Sequence, residues 1–263
     1  MEWKHLITTI DQRGVATVTL NRPEIHNAFN DVMITELTQL FTEWEKKSEI
    51  RLVVITGAGK SFCAGGDINW MKKMKDYSFD DNVRDAKIMG SMFWLINRFP
   101  RPVIAKINGP AMGGGVGLLS VADYAIADDS ATFGLTETRL GLVPAVISPF
   151  VIAKIGQSNA RATFLTGGRF SAEKAMSMGM LHEVCKTADL DASVEKIISE
   201  FLKAGPVAQG EAKKLISGVV ALKSEEELLT FTGTAIARVR ASSEGQEGMA
   251  SLLEKRTPSW CKT

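Results

Sequence analysis

Two glycine-rich stretches hold most of the residues able to do chemistry: FCAGGDINW at 62–70 and GPAMGGGVG at 109–117. Glycine has no Cβ, so its backbone can approach a ligand closely. Each stretch follows a short apolar run and opens toward a helical pattern, which leaves backbone N–H groups free at a helix start. Two such amides from separate turns, aimed at one oxygen, would hold a carbonyl as it gains negative charge. Each donor of that kind contributes about 2.7–4 kcal/mol to the transition state. Glycines that only permit tight strand-to-helix turns and close packing give the same local pattern. A third candidate is Glu137 in FGLTETRLG, just after a predicted short strand; taken alone, it reads as a surface carboxylate.

Other chemistries fail on spacing. TGAGKS at 56–61 imitates a nucleotide loop, but its first glycine would fall at Val54 and FCAGGD follows in place of a helix. A dinucleotide fingerprint on Gly113 and Gly115 would need glycine at 118, where Leu118 stands. No G-x-S-x-G elbow is present, so a serine hydrolase is unsupported. The histidines are His5, His26 and His182, the cysteines Cys63, Cys185 and Cys261, and no C-x-x-C occurs. No metal site is expected from so few ligands.

The elements that must position these residues are read from periodicity. WKHLITTI and GVATVTLNRP, separated by DQRG, predict a hairpin. Asn30 caps a helix with Met33, Leu37, Leu40 and Trp44 on one face. LVVITG (52–57) and VIAKI (103–107) are buried strands, with an amphipathic helix between them over about 83–98. GGGVGLLSV is a helix opening on glycines, and YAIA a strand. This strand, strand, helix rhythm runs through roughly the first 185 residues. Beyond Gly205-Pro206 the pattern is purely helical, with a capping signature at SEEE (224–227) and a stripe of Leu228, Phe231, Ala235 and Val239. The division expected is a 1–204 core and a 205–263 helical region, which is either a subunit contact or a lid on its own core.

Composition bounds the partners. With 45% hydrophobic residues, 23% charged residues and a formal charge of +1, the chain reads as an ordinary globular protein with no basic excess for nucleic acid. Its most apolar stretch, 103–127, is interrupted by Lys106, Pro110 and Asp123, so no membrane span is expected. Free thiols and an N-terminus without a charged leader and apolar core suggest a cytoplasmic protein.

LNRPEIHNAF (20–29), FCAGGDI (62–68), INGPAMGGGVGL (107–118), ADYAIADDSATFGLTETRLGLVP (122–144) and the terminal EKRTPSW together resemble the enoyl-CoA hydratase/isomerase, or crotonase, superfamily. The resemblance runs nearly end to end, with the motifs in the family's order. It implies an α/β spiral of repeated β-β-α units, a helical C-terminal trimerisation region, and an acyl-CoA thioester substrate. It implies a homotrimer, or a hexamer built as a dimer of trimers, and no cofactor beyond the coenzyme A carried by the substrate. Carried across, the two carbonyl-gripping amides fall on Ala64 and Gly114, and Glu137 matches the residue that moves a proton beside the thioester. Ala28, Asp67 and Ile68 would line the groove for the pantetheine and adenine. Arg22 would approach the nucleotide end or be a surface arginine, and the Asp67 side chain also reads, by preference, as the N-cap of INWMKKM.

The chain also departs from the family. Hydratases of this group carry a second glutamate three residues after the middle glycine of the triplet, and that position is Gly117. The segment after the following proline is Ala145-Val146-Ile147-Ser148-Pro149 in place of a glycine-rich one. Both features resemble bacterial 3-methylglutaconyl-CoA hydratases of leucine breakdown and relatives acting on branched glutaconyl-CoA substrates. Their free carboxylate calls for a cation, with Arg139, Arg84, Lys87 and Arg98 as candidates and Ser148 as a possible proton relay. The expected function is water addition to a 2-enoyl-CoA, or its removal from a 3-hydroxyacyl-CoA. Isomerisation or decarboxylation on the same scaffold is the alternative, and an RNA-binding or non-catalytic assembly role is the alternative of another class.

Overall fold

The computed structural model describes residues 2–261. Strands β1 (Leu6–Ile10) and β2 (Val15–Leu20) pair antiparallel as the hairpin, with Leu6 opposite Leu20. Helix α1 (Asp31–Glu45) starts at Asn30, whose side chain accepts from Met33 N at 2.8 Å; Met33, Leu37, Leu40 and Trp44 are all buried. Strand β3 (Leu52–Gly57) follows, then α2 (Ile68–Met74) and α3 (Phe79–Asn97). Helix α3 begins four residues before the expected start. Ser78 and Asp81 bond each other's backbone there in a capping box, a signal outside the apolar periodicity.

Next come β4 (Val103–Ile107), β5 (Ala111–Met112), α4 (Gly114–Ser120), β6 (Tyr124–Asp128) and β7 (Thr132–Gly134). They are followed by α5 (Ser148–Thr166), β8 (Arg169–Ser171), α6 (Ala172–Ser177), β9 (Glu183–Cys185) and α7 (Leu190–Lys203). The strands sort into two sheets, a large one ordered β1-β2-β3-β4-β6-β9 and a small one ordered β5-β7-β8. From β2 onward the large sheet is parallel. Successive turns of the chain place one strand in the large sheet and the next in the small one: β4 then β5, β6 then β7. That alternation makes the spiral.

The uninterrupted apolar character of β3 follows from burial on both faces. Val53 and Ile55 join the main core with Phe29, Phe41, Phe93 and Phe99. Leu52 and Val54, with Ile104 and Ile126, meet Leu190, Val194 and Ile198 of α7 on the opposite face. Each such side chain contributes about 1.5–3 kcal/mol when fully buried, so the sheet is a stiff platform for the loops at its ends.

The chain closes with α8 (Pro206–Ala221), α9 (Glu225–Ala241) and α10 (Ser243–Leu253). The Leu228, Phe231, Ala235 and Val239 stripe is only half-buried, and no residue of α9 is fully buried. The Phe231 ring lies over Gly218 of α8, where a Cβ would come within 2.2 Å of it. Among the described residues no helix is long and apolar enough to cross a membrane.

Candidate active site

The two glycine turns lie side by side at the C-terminal ends of β3 and β4. Backbone bonds join them: Phe62 N and Cys63 N donate to Pro110 O, and Met112 N donates to Cys63 O. The approach is so close that a Cβ on Gly115 would sit 2.3 Å from Cys63 O. Gly65 has φ +91°, and a Cβ on it would meet Met112 O at 3.0 Å and Gly114 N at 3.7 Å. Cys63 is sealed beneath this junction, and burial pushes its thiol up to about 12 despite a hydrogen bond from Gly65, so it is no nucleophile.

The Ala64 amide, expected to grip the carbonyl, is already used. It donates to His26 O at 2.9 Å and ties the turn to the 20–29 loop. The free amide of this turn is that of Gly66, two residues on, which has no backbone acceptor among the described residues. The Gly114 amide, first in α4, is likewise unengaged. The unengaged amides of the two turns are therefore those of Gly66 and Gly114. A strand-like bridge sets its direction: Phe29 N donates to Gly65 O and Asp67 N to Phe29 O, which turns the intervening Gly66 N–H outward.

Glu137 stands beside them. Strand β7 pairs with β5, placing Gly134 opposite Met112, and Gly113 N donates to Gly134 O at 2.9 Å. A short 3-10 turn, Thr136–Leu140, then brings the Glu137 carboxyl back over the second glycine turn. Its Oε1 would lie 3.0 Å from a Cβ on Gly113, a residue whose φ of +48° also demands glycine. Its Oε2 is buried with no hydrogen-bond partner. Burial raises the carboxyl above its ordinary value, opposed in part by a bond from its own backbone N–H. A desolvated carboxyl with one idle oxygen is poised to take up and return a proton.

The side walls are apolar. A Cβ on Gly114 would meet Phe29 at 3.0 Å and Met89 at 3.2 Å. One turn further along α4, a Cβ on Gly117 would lie 2.2 Å from Ile147 Cγ2 and 3.1 Å from Phe93. The position of the absent second glutamate is thus filled by Ile147, a residue of the variant 145–149 segment. The sequence does not single out Phe29, Met89, Phe93 and Ile147 as site residues: the first, third and fourth are buried and Met89 half-buried, as many core residues are.

The residues expected to bind the coenzyme divide. Arg22 donates to Ala28 O at 2.7 Å and to Asp67 Oδ2 at 2.8 Å, with side chains only 12% and 8% exposed in that ion pair. Asp67 also accepts from Asn69 N at 2.7 Å as the N-cap of α2. Arg22 and Asp67 therefore clamp the Ala28 backbone to the start of α2, and their side chains are committed to each other. Ile68, by contrast, is 71% exposed next to this clamp and free to meet a ligand. Ser148 Oγ donates to Ala145 O and caps its own turn. Of the candidate cations, Arg84 pairs with Asp81, Arg98 lies over the Trp94 ring and Arg139 donates to Thr166 O. His182 is structural: its Nδ1 accepts from Ala125 N, and burial first, then Lys154, lowers it to about 4. No group of three or more potential ligands for a metal ion occurs among the described residues.

An α/β spiral with two joined glycine turns, two idle amides and one buried carboxyl defines a protein of the crotonase class. The family model for enoyl-CoA hydratase/isomerase matches residues 11–263, and the chain belongs to that family. An enoyl-CoA hydratase from Shewanella pealeana superposes with a TM-score of 0.95 at 37% identity, covering 98% of this chain and 97% of that one. The enoyl-CoA hydratase ACTT6 of Alternaria alternata is 32% identical over 244 residues, 92% of this chain and 80% of that protein. A trans-2-decenoyl-[acyl-carrier-protein] isomerase of Streptococcus mutans is 29% identical over 263 residues, 98% of each chain.

Proposed function

We propose that this protein adds water to a 2-enoyl-CoA, and removes it from the 3-hydroxyacyl-CoA, with Glu137 as its proton carrier. The observation that supports this reading is that two unengaged amides, Gly66 and Gly114, lie next to the Gly65–Gly113 contact, against which the desolvated Glu137 carboxyl packs. The thioester oxygen accepts from both amides. Glu137, ionised, takes a proton from water as the oxygen bonds to the β-carbon and electrons move onto the thioester oxygen. The enolate then takes that proton from Glu137 at the α-carbon. Every atom of the water ends in the product, and the carboxylate is regenerated. The chain itself supplies the fixed dipoles and the base.

The acyl group we assign is a branched glutaconyl unit such as 3-methylglutaconyl, supported by Gly117 and the 145–149 segment. Its carboxylate would require one of Arg84, Lys87, Arg98 or Arg139 to turn toward the cleft. A second reading, movement of a double bond, is favoured by the apolar wall at Ile147: a lone carboxyl can remove a proton at one carbon and return it at another. The assembly we propose is a trimer or a dimer of trimers through the 205–263 helices.

Incubation with a panel of enoyl-CoA thioesters, including crotonyl- and 3-methylglutaconyl-CoA, tests these readings by product mass. A gain of one water supports hydration. An isomeric product of unchanged mass supports the second reading, and loss of carbon dioxide or no turnover rejects both.

A further inference from the structure

Glycine inside a helix costs about 1 kcal/mol relative to alanine, yet α4 carries Gly117 in its interior, where no positive φ requires it. Space is the reason. A Cβ there would lie 2.2 Å from Ile147 Cγ2, 2.9 Å from Ile147 Cβ and 3.1 Å from Phe93 Cζ. Ile147 is 3% exposed at the entrance to α5 and belongs to the main core cluster with Phe93 and Phe150, so it has little room to yield. Gly114 and Gly117 share one face of α4, three residues apart, and meet Met89 and Phe93, four residues apart on α3. Position 117 therefore lies one turn along the same face of α4 from Gly114.

We propose that Ile147 is a positioning residue that enforces a single-carboxyl site. Its side chain occupies the volume a side chain at 117 would need and leaves that wall of the cleft apolar. Any water that reacts is then held by Glu137 alone. Gly117 and Ile147 form one unit, and replacing Gly117 without releasing Ile147 drives a charged side chain into packed hydrocarbon. This inference rests on the reading of Glu137 as proton carrier for its catalytic consequence, but not for its packing consequence.

The experiment compares Gly117→Glu, Ile147→Gly and the double variant with the parent by thermal unfolding, and then by turnover of 2-enoyl- and 3-enoyl-CoA across pH. Gly117→Glu is expected to unfold at markedly lower temperature and to lose about 100-fold or more in kcat/KM. In the double variant the glutamate is expected to cost little further stability beyond Ile147→Gly, a non-additive result expected of residues in contact. Its kcat/KM profile should gain a second ionisation, and its ratio of hydration to isomerisation should rise about tenfold. Three results overturn the proposal: Gly117→Glu as stable as the parent, strictly additive losses, or a folded double variant with the parent's pH profile and product ratio. If the parent turns over no enoyl-CoA, the functional reading fails, while the unfolding data still decide whether the two positions are coupled.

Discussion

Glu137→Gln keeps the shape of the side chain and removes its basicity. Its kcat/KM for hydration is expected to fall by about 10²–10⁴, with substrate affinity little changed, and steady-state kinetics with a binding titration separates the two. Burial holds the carboxyl above its ordinary value near 4.5. The parent's kcat/KM should accordingly rise with pH through that raised pKa, and the variant's residual rate should lack that limb. The same shift fixes the sign for stability. The folded state holds this proton more tightly than the unfolded chain, so its contribution declines as pH rises from 4.5 through the folded value. Glu137→Gln should remove that decline. The two amides give a contrasting pair. A Cβ on Gly66 meets only Met71 at 3.6 Å, an ordinary contact, so Gly66→Ala should keep kcat within about threefold. Gly114→Ala presses on the fully buried Phe29 ring at 3.0 Å and should cost about tenfold or more through displacement of the amide. Equal activity of the two alanine variants would sink the assigned pair. Glu137 and Gly114 stand in motifs, so the sequence alone offers them as candidates, and the structure places both at the glycine turns. The sequence points to Ala64 in place of Gly66 because which N–H the 20–29 loop consumes is decided by a contact across more than 30 positions of chain.

Most elements could be read directly, because their signals are local. The β1–β2 hairpin, the Asn30 cap and the two-sided burial of β3 are each written in a few adjacent residues. What escaped were tertiary assignments, and the start of α2 is the clearest. By sequence Asp67 reads both as a cap and as a groove residue, and Arg22 as a nucleotide contact or a surface arginine. The ion pair between them, 45 residues apart in the chain, engages both side chains with each other. Burial alone would raise the Asp67 carboxyl, but hydrogen bonds from Arg22 and Asn69 outweigh it and hold it below 3.8. That stability is present above the unfolded value and is lost as pH falls through the lower folded one, so the clamp weakens only in strong acid. Asp67→Ala removes the cap and leaves the buried guanidinium uncompensated, for an expected loss of about 3–5 kcal/mol. Asp67→Asn retains an oxygen for Asn69 N and should lose less. Urea unfolding near neutral pH ranks the two, and an alanine variant as stable as the parent would contradict the clamp.

The last three helices carry too little core to stand by themselves as a covered surface. Leu229, Val220 and Ile216 are 66%, 71% and 65% exposed, and Leu252 and Leu253 are 78% and 83% exposed. Between α8 and α9 an open groove of about 530 Å³ is lined by Leu215, Leu229, Ile236 and Val239. A second apolar patch, Leu140, Leu142, Val143 and Leu165, flanks the turn that carries Glu137. Exposed apolar side chains in such numbers suit an interface, and their division between two patches on one chain suits a head-to-tail contact, which closes into a ring when the rotation permits. A stable interface of that kind buries roughly 800 Å² on each partner. Sedimentation at micromolar concentration should therefore return three or six times the 28.6 kDa chain mass. A charge at the centre of either patch, as in Leu229→Asp or Leu142→Asp, should release smaller species and lower the unfolding temperature. Loss of turnover on dissociation is expected to be greater for Leu142→Asp, because that patch continues into the turn positioning the catalytic carboxyl. A parent that sediments as a single chain, fully active, would overturn the ring and leave these helices as a lid on their own core.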